Sequence, residues 1–400
     1  VKDNMKPAIL GGIPVRNELL PYAKQYIDDE DCLAVYNVLK SDFLTTGPKV
    51  KEFETIIANY VGVKYAVAFS NGTAALHGAC YAAGIGEGDE VITTPITFAA
   101  SANCVLYMGG TPIFVDIDKE TFNIDVNEIE KKITNRTKAI IPVDYTGQVV
   151  DIDAIKDLIM GKNIVIIEDG AHSLGTKYKG TLVGGLADMT MFSFHPVKTI
   201  TTGEGGIITT NNEEYYKKLI KFRSHGITRD IDQLENKDIG GWYYEQLDLG
   251  FNYRMTDIQA VLGISQTKKL GWFIKRRKEI VNRYNEAFKD LVGIILQKNP
   301  EYSDTVNHLY VLRLDLLKLK ASRKEIFDAL IAENIGVNVH YIPIYWHPYY
   351  QKLGYKKGLC PNAEELYHTL LTLPLFPAMT NEDVEDVING LNNVISYYRK

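Results

Sequence analysis

The 400-residue sequence predicts an α/β fold: a seven-stranded, mostly parallel sheet with one reversed strand, followed by a smaller C-terminal α+β domain. Three observations carry this. Seven short apolar runs lie between residues 65 and 210, several of them continuous and β-branched rather than alternating. That is the pattern of strands buried on both faces of a parallel sheet. Helical patterns fill most of the gaps between the runs, which implies a layered architecture. The last two runs are only 11 residues apart, short for a right-handed parallel crossover, so one of that pair runs antiparallel.

In chain order the runs are YAVAFS (65–70), EVITT (90–94), PIFVDI (112–117), AIIPVDY (139–145), IVIIED (164–169), TMFSF (190–194) and GIITT (206–210). The helical segments TAALHGACYAAG and TFAASANCVLYMGG follow the first and second runs, and DIDAIKDLIMGKN precedes the fifth. After residue 210 the pattern changes. EEYYKKLIKFRSHG reads as a helix with a glycine stop, and residues 255–288 read as long helix broken near Gly271. NHLYVLRLDL and GVNVHYIPIY read as strands. Between them SRKEIFDALIAENI is a helix, with Ser322 as N-cap and Glu325 closing a capping box. The terminal NEDVEDVINGLNNVISYY is amphipathic, with Asn381 as its N-cap. The expected division is a large domain over residues 1–265 and a small one over 266–400.

Composition narrows the function. Hydrophobic residues make up 46% and charged residues 24%, a globular balance with enough apolar mass for a large core. The net charge of −6 leaves no electrostatic footprint for nucleic acid, and no basic block points to an anionic membrane. No stretch approaches the roughly 20 apolar residues of a membrane span. No signal peptide is visible at the start. The four cysteines (Cys32, Cys80, Cys104, Cys360) show no CxxC spacing, so neither a disulfide framework nor a zinc site is expected. The expectation is a cytoplasmic protein without a metal.

Three segments carry residues suited to chemistry. Ser70–Thr73 joins a strand end to a helix start, where free amides and the helix dipole favour an anion. Gly72 permits close approach and Thr73 adds a hydroxyl; an ordinary capped helix start reads the same way. In IVIIEDGAH, Asp169 ends an apolar strand on the side where open α/β sheets bind ligands. It suits a sugar hydroxyl, a metal or a cationic ring nitrogen, with His172 in reach; a helix cap beside a core histidine is the plainer reading. In FSFHPVKTITTGEGG, Lys198 follows a strand end, flanked by Ser193 and His195. A lysine there can form a Schiff base if its pKa is lowered, although most loop lysines are surface groups. Together the three supply a phosphate cradle, a partner for a pyridinium and a Schiff-base lysine, the parts that pyridoxal phosphate needs. Phe98 suits stacking on the ring or plain core packing.

The set SNGTAAL, TTPITFAASAN, EDGAHSLG, FSFHPVKTITTGEGG and FNYRMTD resembles the DegT-type family of PLP-dependent nucleotide-sugar aminotransferases, of the aspartate-aminotransferase fold (fold type I). The resemblance runs from LPYAKQYIDDEDCLAVYNVLK to LTLPLFPAMTNEDV. It implies that Lys198 carries pyridoxal phosphate covalently and that Asp169 pairs with the ring nitrogen. His172 would contact the ring hydroxyl, and Phe98 would stack on the ring. Gly72, Thr73 and Ser193 would bind the phosphate, and Asn252 would reach it from the neighbouring subunit of a homodimer with shared active sites. A lysine rather than a histidine at position 198 implies a transaminase rather than one of the family's sugar dehydratases.

The segments VDYTGQ, FRSHGITRD, NHLYVLRLD and VHYIPIYWHPYYQKLGY further resemble the UDP-4-amino-4,6-dideoxy-N-acetyl-β-L-altrosamine transaminases of pseudaminic acid biosynthesis. The implied reaction moves an amino group from L-glutamate to the 4-keto carbon of a UDP-sugar. Arg254, His308, His340 and Tyr341 are candidates for substrate contact; for His225 and His347 a structural role is the commoner reading, and Glu204 fits either role. Two alternatives stand beside it: an aminotransferase for another nucleotide-linked keto-sugar of surface or spore-coat polysaccharide, and a PLP-binding regulatory protein without turnover. A nucleotide-binding oxidoreductase is disfavoured, because no GxGxxG follows the first strand.

Overall fold

The computed structural model describes residues 6–400. Residues 1–5, the start of the segment assigned to the large domain, lie outside the described residues. All seven apolar runs form strands of one sheet. They are β1 (Tyr65–Phe69), β2 (Glu90–Thr93), β3 (Thr111–Phe114), β4 (Thr137–Ile141), β5 (Val165–Asp169), β6 (Met189–Ser193) and β7 (Gly206–Thr210). Their spatial order is β1-β7-β6-β5-β4-β2-β3. The reversed strand is β7, antiparallel to both β1 and β6, while the remaining pairs are parallel.

Burial on both faces explains why the runs are continuously apolar. Successive residues of one strand enter different cores. Ile140, Phe192 and Ile207 pack on one face with Phe53 and Ile57. Ile141, Met191 and Ile208 pack on the other with the helix Gly72–Ala82 and the helix Glu213–Phe222. A polar residue at alternate positions would therefore have been buried too.

Beyond the sheet the chain forms helices Asp257–Thr267 and Leu270–Phe288, with a break at residues 268–269 just ahead of Gly271. The second of these serves two cores. Leu270 and Phe273 pack with the main sheet, while Ile280, Tyr284 and Phe288 join a separate cluster. That cluster includes Leu20, strand β9 (Tyr310–Leu314), strand β10 (Leu370–Leu373) and the terminal helix Asn381–Tyr398. Strand β8 (Ile294–Leu296) completes an antiparallel sheet of order β8-β9-β10. A division after residue 265 stands as our proposal.

Two expectations are corrected here. GVNVHYIPIY is not a strand: it makes one bridge, Asn338 to Thr372, and ends in the 3-10 turn Ile344–Trp346. Pro343 has no N–H to give a ladder, and β10 takes the place beside β9. The cap of the terminal helix is Thr380, not Asn381. Thr380 Oγ1 accepts from Asp383 N at 3.0 Å, and Asp383 returns the bond to Thr380 N. Only from position 380 does an acid fall at the third helical residue, where a capping box needs it. The box at Ser322 and Glu325 forms as expected.

Thr380→Ala should lower stability by about 1 kcal/mol in chemical denaturation. Asn381→Ala should cost distinctly less; an equal loss would contradict this assignment of the cap.

Candidate active site

Because β7 alone is reversed, β1, β2, β5 and β6 all end at one edge of the sheet. A cavity of about 760 Å³ opens there. It gathers Gly72, Thr73, Phe98, Asp169, His172, Ser193 and Lys198, which lie far apart in sequence. His308, His340 and Tyr341 from the second half of the chain close its other wall. Asn252 and Arg254 are outside it. Asn252 is exposed, and Arg254 is half-buried with its backbone bridged to Phe69. His225 and His347 are also outside, whereas Glu204 and His195 line the rim.

The anion cradle arises from the turn after β1. Asn71 caps the helix Gly72–Ala82, its side chain accepting from Ala74 N at 2.8 Å. The amides of Gly72 and Thr73 precede the first intrahelical bonds and keep their donor capacity. Ser193, at the end of β6, stands against them. A Cβ on Gly72 would lie 3.3 Å from both Ser193 Cβ and Oγ. On β7, a Cβ on Gly206 would come within 2.6 Å of the Asn71 carbonyl oxygen. Glycine at both positions lets helix start and sheet close up into a pocket of donors, on the positive end of the helix dipole.

Asp169 ends β5 and is only 4% exposed. Its Oδ1 accepts from Ala171 N at 3.1 Å, and its Oδ2 accepts from Ser101 Oγ at 2.6 Å. Burial raises its pKa above the ordinary carboxylate value; the Ser101 bond, the Ala171 bond and the Lys198 charge oppose that rise. Lys198 sits in the loop between β6 and β7, where its N–H donates to His195 O at 2.9 Å. Burial pulls its ammonium pKa down to about 8, against the pull of the Asp169 charge.

His172 and His308 are both buried, with ring centroids 4.4 Å apart. Burial holds both well below the usual histidine range, so both are neutral at pH 7. His172 Nε2 lies 3.4 Å from Tyr341 OH. The Tyr341 ring is 6.4 Å from Phe98, which stands 64% exposed at the mouth. His340 Nδ1 bonds Thr372 Oγ1 at 3.0 Å, and burial brings its pKa down to about 4.

Sequence reasoning missed Tyr22, Thr97 and Tyr253 in the cavity wall, and Ser101 beneath it. Only the quoted segments around them marked these positions, not their residue types. Among the described residues, no group of three or more His, Cys, Asp or Glu could hold a metal ion. No helix there is long and apolar enough to cross a membrane.

The lowered pKa of Lys198 has a direct readout. Acylation of the cofactor-free chain, followed peptide by peptide, should show Lys198 gaining reactivity with a midpoint near pH 8. A midpoint in the range of the surface lysines would contradict the desolvated site.

The chain was compared with known proteins. It is 43% identical to the spore coat polysaccharide biosynthesis protein SpsC of Bacillus subtilis, over 95% of this chain and 98% of that one. It is 38% identical to the UDP-4-amino-4,6-dideoxy-N-acetyl-beta-L-altrosamine transaminase of Campylobacter jejuni, over 96% and 99%. Among solved structures, the PLP-form of the putative sugar aminotransferase Spr1654 from Streptococcus pneumoniae superposes with a TM-score of 0.88 at 33% identity, over 95% and 99%. These likenesses carry fold type I and point to pyridoxal phosphate as the cofactor. With residues 25–392 matching the family as a whole, the chain belongs to the DegT/DnrJ/EryC1/StrS aminotransferase family.

Proposed function

We propose that this chain is a nucleotide-sugar aminotransferase that moves an amino group from L-glutamate to the 4-keto carbon of a UDP-4-keto-6-deoxy-N-acetylhexosamine. The product would be UDP-4-amino-4,6-dideoxy-N-acetyl-β-L-altrosamine. One observation carries the reading: Lys198, Asp169 and the Gly72–Thr73–Ser193 cradle converge in a single cavity. The donor set fits pyridoxal phosphate. A buried carboxylate with a raised pKa suits a cationic ring nitrogen, and the helix-start amides with two hydroxyls suit a phosphate.

When bound, pyridoxal phosphate supplies a carbonyl carbon that amines attack and a ring that withdraws electrons. The protein's residues do the rest. Gly72, Thr73 and Ser193 hold the phosphate. Asp169 keeps the ring nitrogen protonated through its negative charge. Neutral His172 would orient the ring hydroxyl, and Phe98 would stack on the ring. Lys198 would hold the cofactor covalently; once displaced, an amine whose pKa burial lowers would both take and give a proton. His308, His340 and Tyr341 face the substrates.

A cytoplasmic homodimer is part of the proposal. Asn252 lies on a segment that exposes Trp242 and Leu249 at 74% each, along with Phe251. Exposed apolar side chains on one segment fit a subunit interface, from which Asn252 would reach a partner's phosphate. Arg254 follows it in the chain and would act there too, rather than in its own subunit's cavity. A second reading has support of its own. The spore-coat relative is more identical than the altrosamine transaminase, which favours a keto-sugar of another surface polysaccharide as runner-up.

Incubating the PLP-loaded protein with L-glutamate alone should release one 2-oxoglutarate per site. Adding the UDP-4-keto-sugar should make release catalytic and put the donor nitrogen on C4, seen by mass spectrometry with labelled glutamate. Lys198→Ala should lower turnover by at least about 10²-fold. Release without transfer to that sugar would favour the runner-up; no release would contradict the donor.

A further inference from the structure

Ser101 belongs to the helix Ala100–Tyr107 and is fully buried. Its Oγ lies 2.6 Å from Asp169 Oδ2 and 2.7 Å from Thr97 Oγ1. An ionised carboxylate has no proton to give, so Ser101 donates to Asp169. With the Ser101 proton committed, Thr97 must donate to Ser101. The chain of bonds thus runs Thr97 to Ser101 to Asp169, joining two residues of the cavity wall through a serine beneath it. A helical serine often bonds a carbonyl of the preceding turn instead. Here that contact, to Phe98 O, is 3.4 Å and much the longer. The hydroxyl is aimed at the carboxylate, not spent on its helix.

We propose that Ser101 is a positioning residue for amino transfer, its hydroxyl holding Asp169 ionised and oriented toward the ring nitrogen of the cofactor. This rests on the pairing of Asp169 with that nitrogen. With Ala171 N on Oδ1 and Ser101 on Oδ2, both carboxylate oxygens are held, so the group cannot swing. Burial drives Asp169 toward its neutral form, and the Ser101 bond is the largest influence against it. A neutral carboxyl would not favour a protonated ring, and the electron-withdrawing power of the cofactor would fall. Phe98 and Ser101 sit on one turn, so a single segment, residues 97–101, serves the mouth of the cavity and its base.

The test is a double-mutant cycle read by titrating the apo chain with pyridoxal phosphate and following its absorbance. Wild type, Ser101→Ala, Asp169→Asn and the double variant are compared, with thermal melting as a check of folding. Ser101→Ala should weaken cofactor binding roughly tenfold to a hundredfold, as for a lost bond to a charged group. It should lower kcat with little change in KM for L-glutamate. In the Asp169→Asn background the same change should have less than about a twofold effect. Ser101→Thr, which keeps the hydroxyl, should restore binding. If Ser101→Ala does not fold, Ser101→Cys is read in its place. Wild-type binding by Ser101→Ala beside weakened Asp169→Asn would overturn the role of Ser101 alone. So would losses that multiply independently in the double variant, since they would mark a structural role. Wild-type binding by Asp169→Asn would overturn the pairing on which the proposal stands.

Discussion

A carboxylate buried as deeply as Asp169 is destabilising by several kcal/mol unless bonds and opposite charge surround it. The architecture of the site answers that demand. The helix after β2 brings Ser101, the turn after β5 brings the Ala171 amide, and the loop after β6 brings the Lys198 charge. None of these fully offsets burial, because the Asp169 pKa still lies above its ordinary value. What would complete the balance is a cation in the cavity, and a protonated pyridine ring is one. Lys198 experiences the mirror image: burial lowers its pKa and frees an amine near neutral pH. One desolvated cavity thus prepares a charged acceptor and a nucleophilic donor side by side.

The reversed strand makes this geometry compact. A short connection from β6 to β7 forces the intervening loop to turn at the same edge of the sheet where β5 ends. The loop is pinned by Phe194, whose N–H donates to Gly205 O at 2.9 Å and whose carbonyl accepts from Thr202 N at 3.0 Å. Lys198 is carried on that closed loop. The opposite wall is tied down by Arg277, almost fully buried on the helix Leu270–Phe288. Its Nη1 donates to His308 O and Leu375 O, both at 3.0 Å. The helix that belongs to two cores therefore also fixes the histidine whose ring packs against His172.

Much of this was legible in the residues because burial on both sheet faces writes long β-branched runs, and because a short connection excludes a parallel crossover. The motif residues were legible because each stands at a strand end, where its chemistry is unusual for its setting. Other features left weaker marks. GVNVHYIPIY alternates like a strand, yet its successive residues His340 and Tyr341 both line the cavity, which the alternation of a strand would not allow. Thr380 and Asn381 are both good caps, and only the spacing to Asp383 separates them. Ser101 was invisible, since a serine in a helix is ordinary and its partner lies 68 positions away. Asn252 lies outside the cavity, so only the family likeness gave it a role.

The most direct measurement is a crystal structure of the protein grown with pyridoxal phosphate. Asp169 should stand about 2.7–2.9 Å from the ring nitrogen with Ser101 still bonded to its other side. Lys198 Nζ should be joined to the cofactor, and the phosphate should rest on Gly72, Thr73 and Ser193. A ring nitrogen turned away from Asp169, or a cofactor bound with Lys198 unmodified, would contradict the assignment of this cavity.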